Sequence, residues 1–203
     1  MAIITASMFM ALDGVVDPNV GHWHFPYFNE EMAEAVTRTH DADVMLFGRV
    51  TYDSFSGAWP AREAAGEQDA AFAKKLGDMR KIVVSHQPLA FTWRHSEQLE
   101  GDVVEGVTAL KSDPSIGRIA LSGSVSLVRQ LLAAELLDEL HLFVHPVLAG
   151  SGRRLYGDGD PERPLRLLSS VSFSTGVLYL VYGPDPHPPG GGYEQAKANL
   201  PRG

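Results

Sequence analysis

The sequence predicts an α/β protein in which a mixed β-sheet lies between helices. Short apolar strands alternate with helical patterns over most of the chain, and the last two strands follow each other as an antiparallel hairpin. A chain of 203 residues can bury one such core and still carry a tail. We therefore expect one domain over residues 1–183 and a tail rich in proline and glycine over residues 184–203.

The composition excludes several classes of function. A hydrophobic content of 44% with 21% charged residues is ordinary for a globular protein. The net charge of −8, with no run of Lys or Arg, argues against a nucleic-acid partner. The absence of cysteine excludes disulfides, thiolate zinc sites and cysteine nucleophiles, and it is compatible with a cytoplasmic protein.

The first strand is predicted over residues 3–10 and ends before the turn-forming pair Asp13 and Gly14. This apolar start reaches Asp13 well before the roughly 20 residues that a membrane helix needs, and it lacks the basic beginning of a signal peptide. We therefore expect a core strand here and no membrane partner.

A long aromatic loop follows over residues 17–27, and Asn29 can then cap a helix that has two glutamates in its first turn. The apolar stripe of this helix consists of Phe28, Met32, Ala35, Val36 and Thr39. Residues 44–48 are apolar and predict a strand that is covered on both faces. We expect a helix over residues 62–76, a third strand over residues 80–84, and one or two short strands over residues 91–104.

The second half of the chain repeats the strand–helix order and then changes. "GRIALSGS" predicts a buried strand, and "VSLVRQLLAAELL" has apolar pairs four residues apart, as in a helix. After Asp138, apolar residues alternate as in a strand. Its two faces carry Leu140, Leu142 and Val144 on one side and His141, Phe143 and His145 on the other. Residues 165–183 predict two strands joined by a turn that contains glycine, and the tail after them is expected to be extended or loosely docked.

Three predicted strands end in residues that could bind an anion. The ends carry Gly48, Arg49 and Thr51, then Ser85 and His86, and finally Gly123, Ser124, Val125 and Ser126. Glycine allows close approach of the backbone, arginine matches phosphate, and the amides that open a helix favour negative charge. Each end alone is equally consistent with an ordinary turn or cap. Because open α/β sheets bind ligands beyond the carboxyl ends of their strands, we expect the three ends to form one site.

Other known site patterns do not fit. The chain has no G-x-G-x-x-G after its first strand, no P-loop motif and no G-x-S-x-G elbow. His22 and His24 alternate as two metal ligands could, but the nearby sequence offers no third ligand, so we expect no metal. We expect instead that Trp23, Phe25 and Tyr27 cover a substrate or a second copy of the chain.

The order of these motifs resembles a known family. "MALDGVV", "VMLFGRVTYDSF", "KIVVSHQP", "IALSGSVSLVRQLL" and "LLDELHLFVHPVLAGSGRRLY", followed by the closing hairpin, resemble the dihydrofolate reductase-like superfamily. The closer resemblance is to the reductase domain of the bifunctional deaminase/reductase of riboflavin biosynthesis. It spans residues 2–182 and implies a three-layer α/β/α fold, NADPH as hydride donor, a small-molecule substrate and a homodimer.

The resemblance also implies roles for residues. Gly48, Arg49 and Thr51 would hold cofactor phosphates, with Arg49 a candidate for the adenosine 2′-phosphate and with Ser85 and His86 beside it. Residues 123–126 would cradle the pyrophosphate. The substrate and nicotinamide end would be formed by Asp13, Gly14, Val15, Val16, Trp23 and Leu155. We assign Asp13 as the candidate proton donor, with bound water or a plain Asp-Gly turn as the alternatives.

Two positions depart from the family pattern. Ala11 stands where the family has serine, and Met32 stands near the position of the helix carboxylate that holds the pterin ring in dihydrofolate reductases. Glu31 or Glu34 could replace that carboxylate after a small shift. These departures argue against folate as substrate. The expected function is an NADPH-dependent reduction of a small heterocycle, and the alternative is a non-catalytic nucleotide-binding module.

Overall fold

A computed structural model describes residues 1–17, 22–157, 159–188 and 190–199. Within these ranges the strands form an eight-stranded mixed sheet in the order β4-β3-β2-β5-β1-β6-β8-β7. The strands are β1 (Ile3–Ala11), β2 (Val44–Gly48), β3 (Arg80–Val84), β4 (Ser96–Gln98), β5 (Arg118–Ser122), β6 (Glu139–His145), β7 (Leu165–Ser172) and β8 (Leu178–Pro184). The helices are α1 (Glu30–Thr39), α2 (Arg49–Ala65), α3 (Ala70–Asp78), α4 (Val103–Ser112), α5 (Val125–Ala133) and α6 (Tyr193–Ala198).

The first six strands run parallel to one another. β8 runs antiparallel to β6, and β7 closes the sheet as the antiparallel partner of β8. The predicted α/β fold with a terminal antiparallel hairpin is therefore confirmed. Because β2, β3, β5, β1 and β6 are parallel neighbours, their carboxyl ends lie at one edge of the sheet. We call this edge the carboxyl rim.

Helices cover both faces of the sheet. The larger core lies beneath α4 and α5, where Val107 and Leu131 pack against strand residues such as Ile119. On the other face, α1 packs over Phe143 through Met32 and Ala35, while Phe47 belongs to the cluster under α2 and α3. The predicted cap of α1 is confirmed, since the amide of Met32 donates to Asn29 Oδ1 at 3.0 Å. Phe28, which was expected in the buried stripe, is 47% exposed.

Two helices differ from the sequence prediction. The helix expected over residues 62–76 is instead split between α2 and α3 at Gly66, whose φ of +68° is left-handed. α2 begins directly after β2. Tyr52 is its one buried residue, so the sequence of α2 lacks the apolar stripe from which a helix is predicted. The other difference is α4, which was not predicted from the sequence. Its start is capped by Asp102, which accepts from the amides of Val104 and Glu105.

The remaining segments agree in outline. The weak region over residues 91–104 contains one strand, β4, and then the start of α4. The tail contains the short helix α6, which was not predicted, and residues 189 and 200–203 lie outside the described ranges. No helix in the described ranges is long and apolar enough to cross a membrane.

Candidate functional site

Two of the three predicted strand ends touch each other at the carboxyl rim. The amide of Gly48 donates to Ser124 Oγ at 2.9 Å, and the amide of Ser124 donates to Thr51 Oγ1 at 3.1 Å. Gly123 lies against Thr51, because a Cβ built on Gly123 would stand 3.7 Å from the Thr51 side chain. The turn after β2 and the turn after β5 are thus one unit. These hydrogen bonds use the hydroxyls of Thr51 and Ser124 and the amides of Gly48 and Ser124 within the protein. The Gly123 amide is also bonded, to Ser7 O at 3.0 Å. The groups left for an anion are therefore the first amides of α2 and α5.

This contact brings two helix starts together. α2 begins at Arg49 and α5 begins at Val125, and both begin at the carboxyl rim. Neither start has a side-chain cap hydrogen bond. The first amides of a helix lack partners within the helix and carry partial positive charge, so two such starts side by side favour an anion with several negative oxygens. Gly123 and Ser124 reach this geometry through left-handed backbone, with φ of +66° and +56°.

Arg49 adds a full positive charge to the same place. It is the first residue of α2, and its Nε lies 2.6 Å from Asp53 Oδ2 one turn further along the helix. The Arg49 side chain is 46% exposed. Arginine binds phosphate through its forked N–H groups, so Arg49 is well placed to bind an exposed phosphate beside the two helix starts.

The third predicted strand end is adjacent, but its hydroxyl has a local role. Val84 pairs with Gly48 across β3 and β2, which places Ser85 beside the turn after β2. Ser85 Oγ donates to Gln87 O at 2.9 Å and accepts from the Gln87 amide at 3.1 Å. His86 is exposed. The three predicted ends therefore share one edge of the sheet, with Ser85 and His86 at its flank.

Three candidate site residues have side chains that point into the core. Val125, Val16 and Leu155 are 7%, 6% and 6% exposed and belong to the larger core cluster. Val125 can contribute only its amide at the start of α5. Val16 and Leu155 lie near the Asp13 turn, where the Val16 amide donates to Arg153 O at 2.8 Å. Their side chains support this region from the core side. The expectation that Val16 and Leu155 contact substrate through their side chains is therefore not supported.

Asp13 clamps two loops of the carboxyl rim. Its Oδ2 accepts from the Gly150 amide at 2.7 Å, and Arg154 Nε donates to its carbonyl at 2.9 Å. The hydrogen bond from Gly150 holds the pKa of the Asp13 carboxyl below its ordinary value. Asp13 is therefore ionised near neutral pH and has no proton to give. This geometry counts against the predicted role of Asp13 as proton donor and favours a positioning role.

Gly14, the next residue, has a left-handed φ of +82° and lies beside Arg154, with 3.9 Å between Arg154 Cδ and the position of a Cβ. This turn brings the loop after β1 next to the loop that follows β6, where Val15 pairs with Arg154. The "GSGRR" segment, which the sequence analysis used only for the family resemblance, thus borders the Asp13 turn.

Trp23 is buried at the same end of the rim. It is 9% exposed and packs against Ala11 and Val15, at the end of β1 and in the turn that follows. Its ring also contacts two histidine rings, with centroids 5.8 Å from His24 and 5.1 Å from His145. Burial lowers the pKa of His24 to about 4 and lowers that of His145 as well, so both rings are neutral near pH 7.

His145 is a residue that the sequence analysis assigned to a strand face but not to the site. It is the last residue of β6 and fully buried. The signal that could have found it is its position at a strand end, the same criterion that selected Gly48 and Ser85.

The first helix offers no carboxylate to this region. Glu31 is held by the Asn29 side chain and by the Ser174 amide, at 2.8 Å each, and Glu34 forms an exposed ion pair with Arg38. The expectation that Glu31 or Glu34 could replace the missing helix carboxylate is therefore wrong. Met32 is fully buried on the inner face of α1.

The residues present fit a nicotinamide dinucleotide at the carboxyl rim. Paired helix starts suit a pyrophosphate, and Arg49 suits a further phosphate. Among the described residues, no group of three or more His, Asp or Glu side chains is arranged to hold a metal ion.

Comparisons with known proteins agree on the fold. A profile of the RibD C-terminal domain matches residues 2–179. The uncharacterized protein YyaP of Bacillus subtilis is 26% identical over 185 residues, which cover 88% of this chain and 93% of that protein.

Solved structures extend the comparison. A Shewanella sp. PV-4 protein, provisionally named as a riboflavin biosynthesis protein, superposes with a TM-score of 0.69 at 18% identity and covers 91% of this chain and 99% of that one. A pyrimidine reductase-like protein of Corynebacterium diphtheriae gives 0.61 at 15% identity, covering 91% and 92%. A diaminohydroxyphosphoribosylaminopyrimidine deaminase/5-amino-6-(5-phosphoribosylamino)uracil reductase of Thermotoga maritima gives 0.62 at 14% identity, covering 91% of this chain but 57% of that one. At these identities the likeness is one of fold.

Proposed function

The chain belongs to the RibD C-terminal domain family, and from this premise we propose that it is a reductase. It transfers a hydride from NADPH to a C=N or C=O bond of a small heterocycle related to pterins or pyrimidines. The observation that carries the proposal is the direct contact between the turn after β2 and the start of α5. That contact joins two helix starts and Arg49 into one surface suited to a dinucleotide.

Each part of the rim has a role in this proposal. The first amides of α2 and α5 bind the pyrophosphate, and Arg49 binds the adenosine 2′-phosphate, with Ser85 and His86 beside it. The Asp13 turn and Trp23 form the nicotinamide and substrate end. NADPH supplies the hydride when it is bound, and the residues of the rim hold the reactants in position.

The proton that completes the reduction comes from water in this proposal. Asp13 is kept ionised by the Gly150 amide, and the rings of His24 and His145 are neutral because they are buried. None of these three groups carries a proton that it would release readily near pH 7. Asp13 instead fixes the loop after β1 against the loop that contains Gly150.

The proposal includes a homodimer. β7 is the last strand of the sheet and has β8 as its neighbour. Seven of its eight residues are exposed, and Leu167 and Val171 are 50% and 48% exposed. An apolar strand edge with few charges is a surface that a second copy can cover by pairing with it.

Calorimetric titration with NADPH and NADH tests the cofactor assignment. We expect the protein to bind NADPH at least tenfold more tightly than NADH, because a charge-assisted bond to phosphate contributes about 1.5–3 kcal/mol. Arg49→Ala should remove most of this preference and leave NADH binding nearly unchanged. Arg62→Ala, which removes an arginine further along α2, is the matched control. If neither cofactor binds, or if Arg49→Ala weakens both equally, the cofactor assignment is wrong.

Oxidation of NADPH then tests catalysis. The protein is incubated with NADPH and a panel of pterins, pyrimidines and cyclic imines, and absorbance reports consumption of the cofactor. We expect oxidation with at least one compound. Tight binding of NADPH without its oxidation by any compound would favour the non-catalytic nucleotide-binding module. Two observations support that alternative, namely Ala11 and the absence of a carboxylate from the buried face of α1.

A further inference from the structure

The loop of residues 85–91, which we call the β3 loop, is held by one side chain of the edge strand β4. Gln98, the last residue of β4, forms three hydrogen bonds to its backbone. Gln98 Nε2 donates to Ser85 O at 3.0 Å and to Gln87 O at 3.1 Å, and Gln98 Oε1 accepts from the Leu89 amide at 3.0 Å. The donor group and the acceptor of this side-chain amide are therefore both used to fix the loop.

A turn within the β3 loop leaves His86 at its tip. Ser85 Oγ donates to Gln87 O and accepts from the Gln87 amide, so the residues on either side of His86 are bonded to each other. His86 itself is exposed. Among the residues that the structure describes, none hydrogen-bonds the His86 side chain. The loop therefore presents an unengaged imidazole to the outside from a closed turn.

The far end of the β3 loop packs beneath the start of α2. Leu89 and Phe91 pack against the core cluster under α2 and α3. The Phe91 ring meets the Tyr52 ring edge-to-face, with centroids 5.5 Å apart. Tyr52 is the buried residue of α2 and lies one turn from Arg49. The β3 loop is thus attached both to β4 and to the helix start that carries Arg49.

This double attachment matters for binding. Residues 86–88 are all exposed, and an exposed segment that becomes ordered only when a ligand binds weakens the affinity for that ligand. A loop that is already fixed in the free protein avoids this loss. The β3 loop lies beside the turn after β2, because Val84 pairs with Gly48. Any effect of Gln98 should therefore be felt at the phosphate beside Arg49 and not at the pyrophosphate.

We propose that Gln98 is a positioning residue of the cofactor site, which holds Ser85 and His86 beside Arg49 and thereby strengthens the preference for NADPH over NADH. This inference rests on the proposed function and deepens it. Gln98 touches no ligand in this proposal and acts only through the β3 loop. The sequence analysis did not select it, because its strand has three residues and its partners lie 9 to 13 residues earlier in the chain.

Gln98→Met tests this role, because methionine has a similar length but neither an N–H donor nor an amide oxygen. Binding of NADPH and of NADH is measured by calorimetry. We expect the variant to bind NADPH about fivefold more weakly or worse, since part of the loop must then be ordered on binding. NADH should stay within about twofold of the wild type, since the helix starts that receive the pyrophosphate are unchanged.

Glu97→Met is the matched control on the same strand. Glu97 precedes Gln98 and forms an exposed ion pair with Arg80 at 2.6 Å, away from the β3 loop. This variant changes β4 by the same substituent, so it reports any general effect of the strand on the protein. We expect it to leave the affinities for both cofactors, and hence the preference for NADPH, as in the wild type.

The outcomes separate this inference from the proposed function. A wild-type protein that binds neither cofactor refutes the proposed function, and one that binds both equally refutes the assignment of the 2′-phosphate and this inference with it. If the wild type prefers NADPH, only the inference is refuted when Gln98→Met keeps the full preference or weakens both cofactors equally. Equal weakening is the result expected of a residue that is merely structural.

The wild-type protein decides the matter by NMR hydrogen exchange should Gln98→Met fail to fold. The Leu89 amide, which donates to Gln98, should be protected in the free protein, and NADPH should change its exchange rate by less than about twofold. A Leu89 amide that is unprotected in the free protein and becomes protected only with NADPH would overturn the inference, because the cofactor and not Gln98 would then order the loop.

Discussion

Lys81 is a fully buried cation with no carboxylate within ion-pair distance in the described part of the chain. Its Nζ donates to the carbonyls of Leu76, Gly77 and Met79 at 2.8, 2.9 and 2.6 Å, at the end of α3. The Trp93 ring lies over it, with 4.4 Å from Nζ to the ring centroid. Burial lowers the pKa of Lys81 to about 8. The charge therefore compensates helix carbonyls but is costly to desolvate.

This lowered pKa predicts how stability depends on pH. Between pH 8 and about 10.5, the unfolded chain keeps the Lys81 proton that the folded chain loses, so the free energy of unfolding should rise with pH. The rise should be about 3 kcal/mol, because each pKa unit corresponds to about 1.4 kcal/mol. Urea denaturation from pH 7 to 10.5 measures it, and Lys81→Met should abolish it. An equal rise in the variant would show that other groups are responsible.

Ser124 joins the turn after β2 to the start of α5 under backbone strain. Its φ of +56° is left-handed, which costs a residue with a side chain about 1 kcal/mol. Ser124→Ala keeps this strain and loses the bond from the Gly48 amide, so the free energy of unfolding should fall by about 1–2 kcal/mol. Ser124→Gly should cost roughly 1 kcal/mol less, since glycine accepts that φ. Ser126→Ala, two residues away and exposed, is the control. Equal losses in the Ala and Gly variants would contradict the strain.

At the residue scale, the sequence predicted which residues lie near the carboxyl rim but not the direction in which their side chains point. Gly48, Thr51 and Ser124 were found because strand ends share an edge of the sheet. Val125, Val16 and Leu155 were placed in the same region, yet their side chains enter the core. Moving by one residue along a strand, or around the first turn of a helix, reverses the direction of a side chain. The local sequence pattern does not show which direction a given residue takes.

At the scale of elements, strands were easier to predict than helices. β1, β2, β3, β5 and β6 are short apolar runs bounded by turn residues, and such runs leave few alternatives. α2 was misplaced because Gly57 and Pro60 interrupt its sequence and it buries little. α4 was missed although Asp102 and Glu105 have the spacing of a capping box.

Arg94 bridges α2 and α3 and lies against Gly77 of α3. The guanidinium bonds Glu63 of α2 and Asp78 of α3, with Nη1 to Glu63 Oε2 at 2.7 Å and Nη2 to Asp78 Oδ1 at 2.8 Å. A Cβ on Gly77 would stand 2.3 Å from Arg94 Nη2. A side chain at this position would therefore push the Arg94 guanidinium away from its two ion pairs.

Gly77→Ala should displace Arg94 and lower the free energy of unfolding by about 1–3 kcal/mol. In an Arg94→Ala background the same change should be neutral or stabilising by up to about 1 kcal/mol, since alanine is the better helix former. Urea denaturation of the four proteins in this cycle gives the coupling. Additive effects would contradict a direct conflict between the two side chains.

At the scale of the whole molecule, the alternation of strands and helices predicted the mixed sheet, but the strand order came from the structure. β1 lies between β5 and β6, which are more than 100 residues further along the chain. Such distant pairing is settled by packing of the whole core and leaves no local trace. The order matters for the proposed function, because it places β1 and β6 together at the proposed substrate end and β2, β3 and β5 together at the proposed cofactor end.

The exposed edge of the sheet predicts the oligomeric state. If β7 pairs with β7 of a second copy, light scattering after size exclusion should give twice the chain mass of 22.1 kDa. Leu167→Lys combined with Val171→Lys should yield a monomer that remains folded. Ile3→Lys, at a residue 41% exposed on another strand, should leave the dimer intact. A monomeric wild-type protein would contradict the dimer. A dimer that persists in the double lysine variant would show that the interface does not lie on β7.

The proposed reductase requires that the carboxyl rim binds a dinucleotide, and amide NMR during a titration with NADP⁺ tests this most directly. We predict that the largest shifts occur at the amides of Gly48, Arg49 and Thr51 and at those of residues 123–126, while the opposite edge near Ile3 and Val44 is unaffected. Shifts confined to other surfaces, or absent at saturating NADP⁺, would contradict the site and with it the reductase.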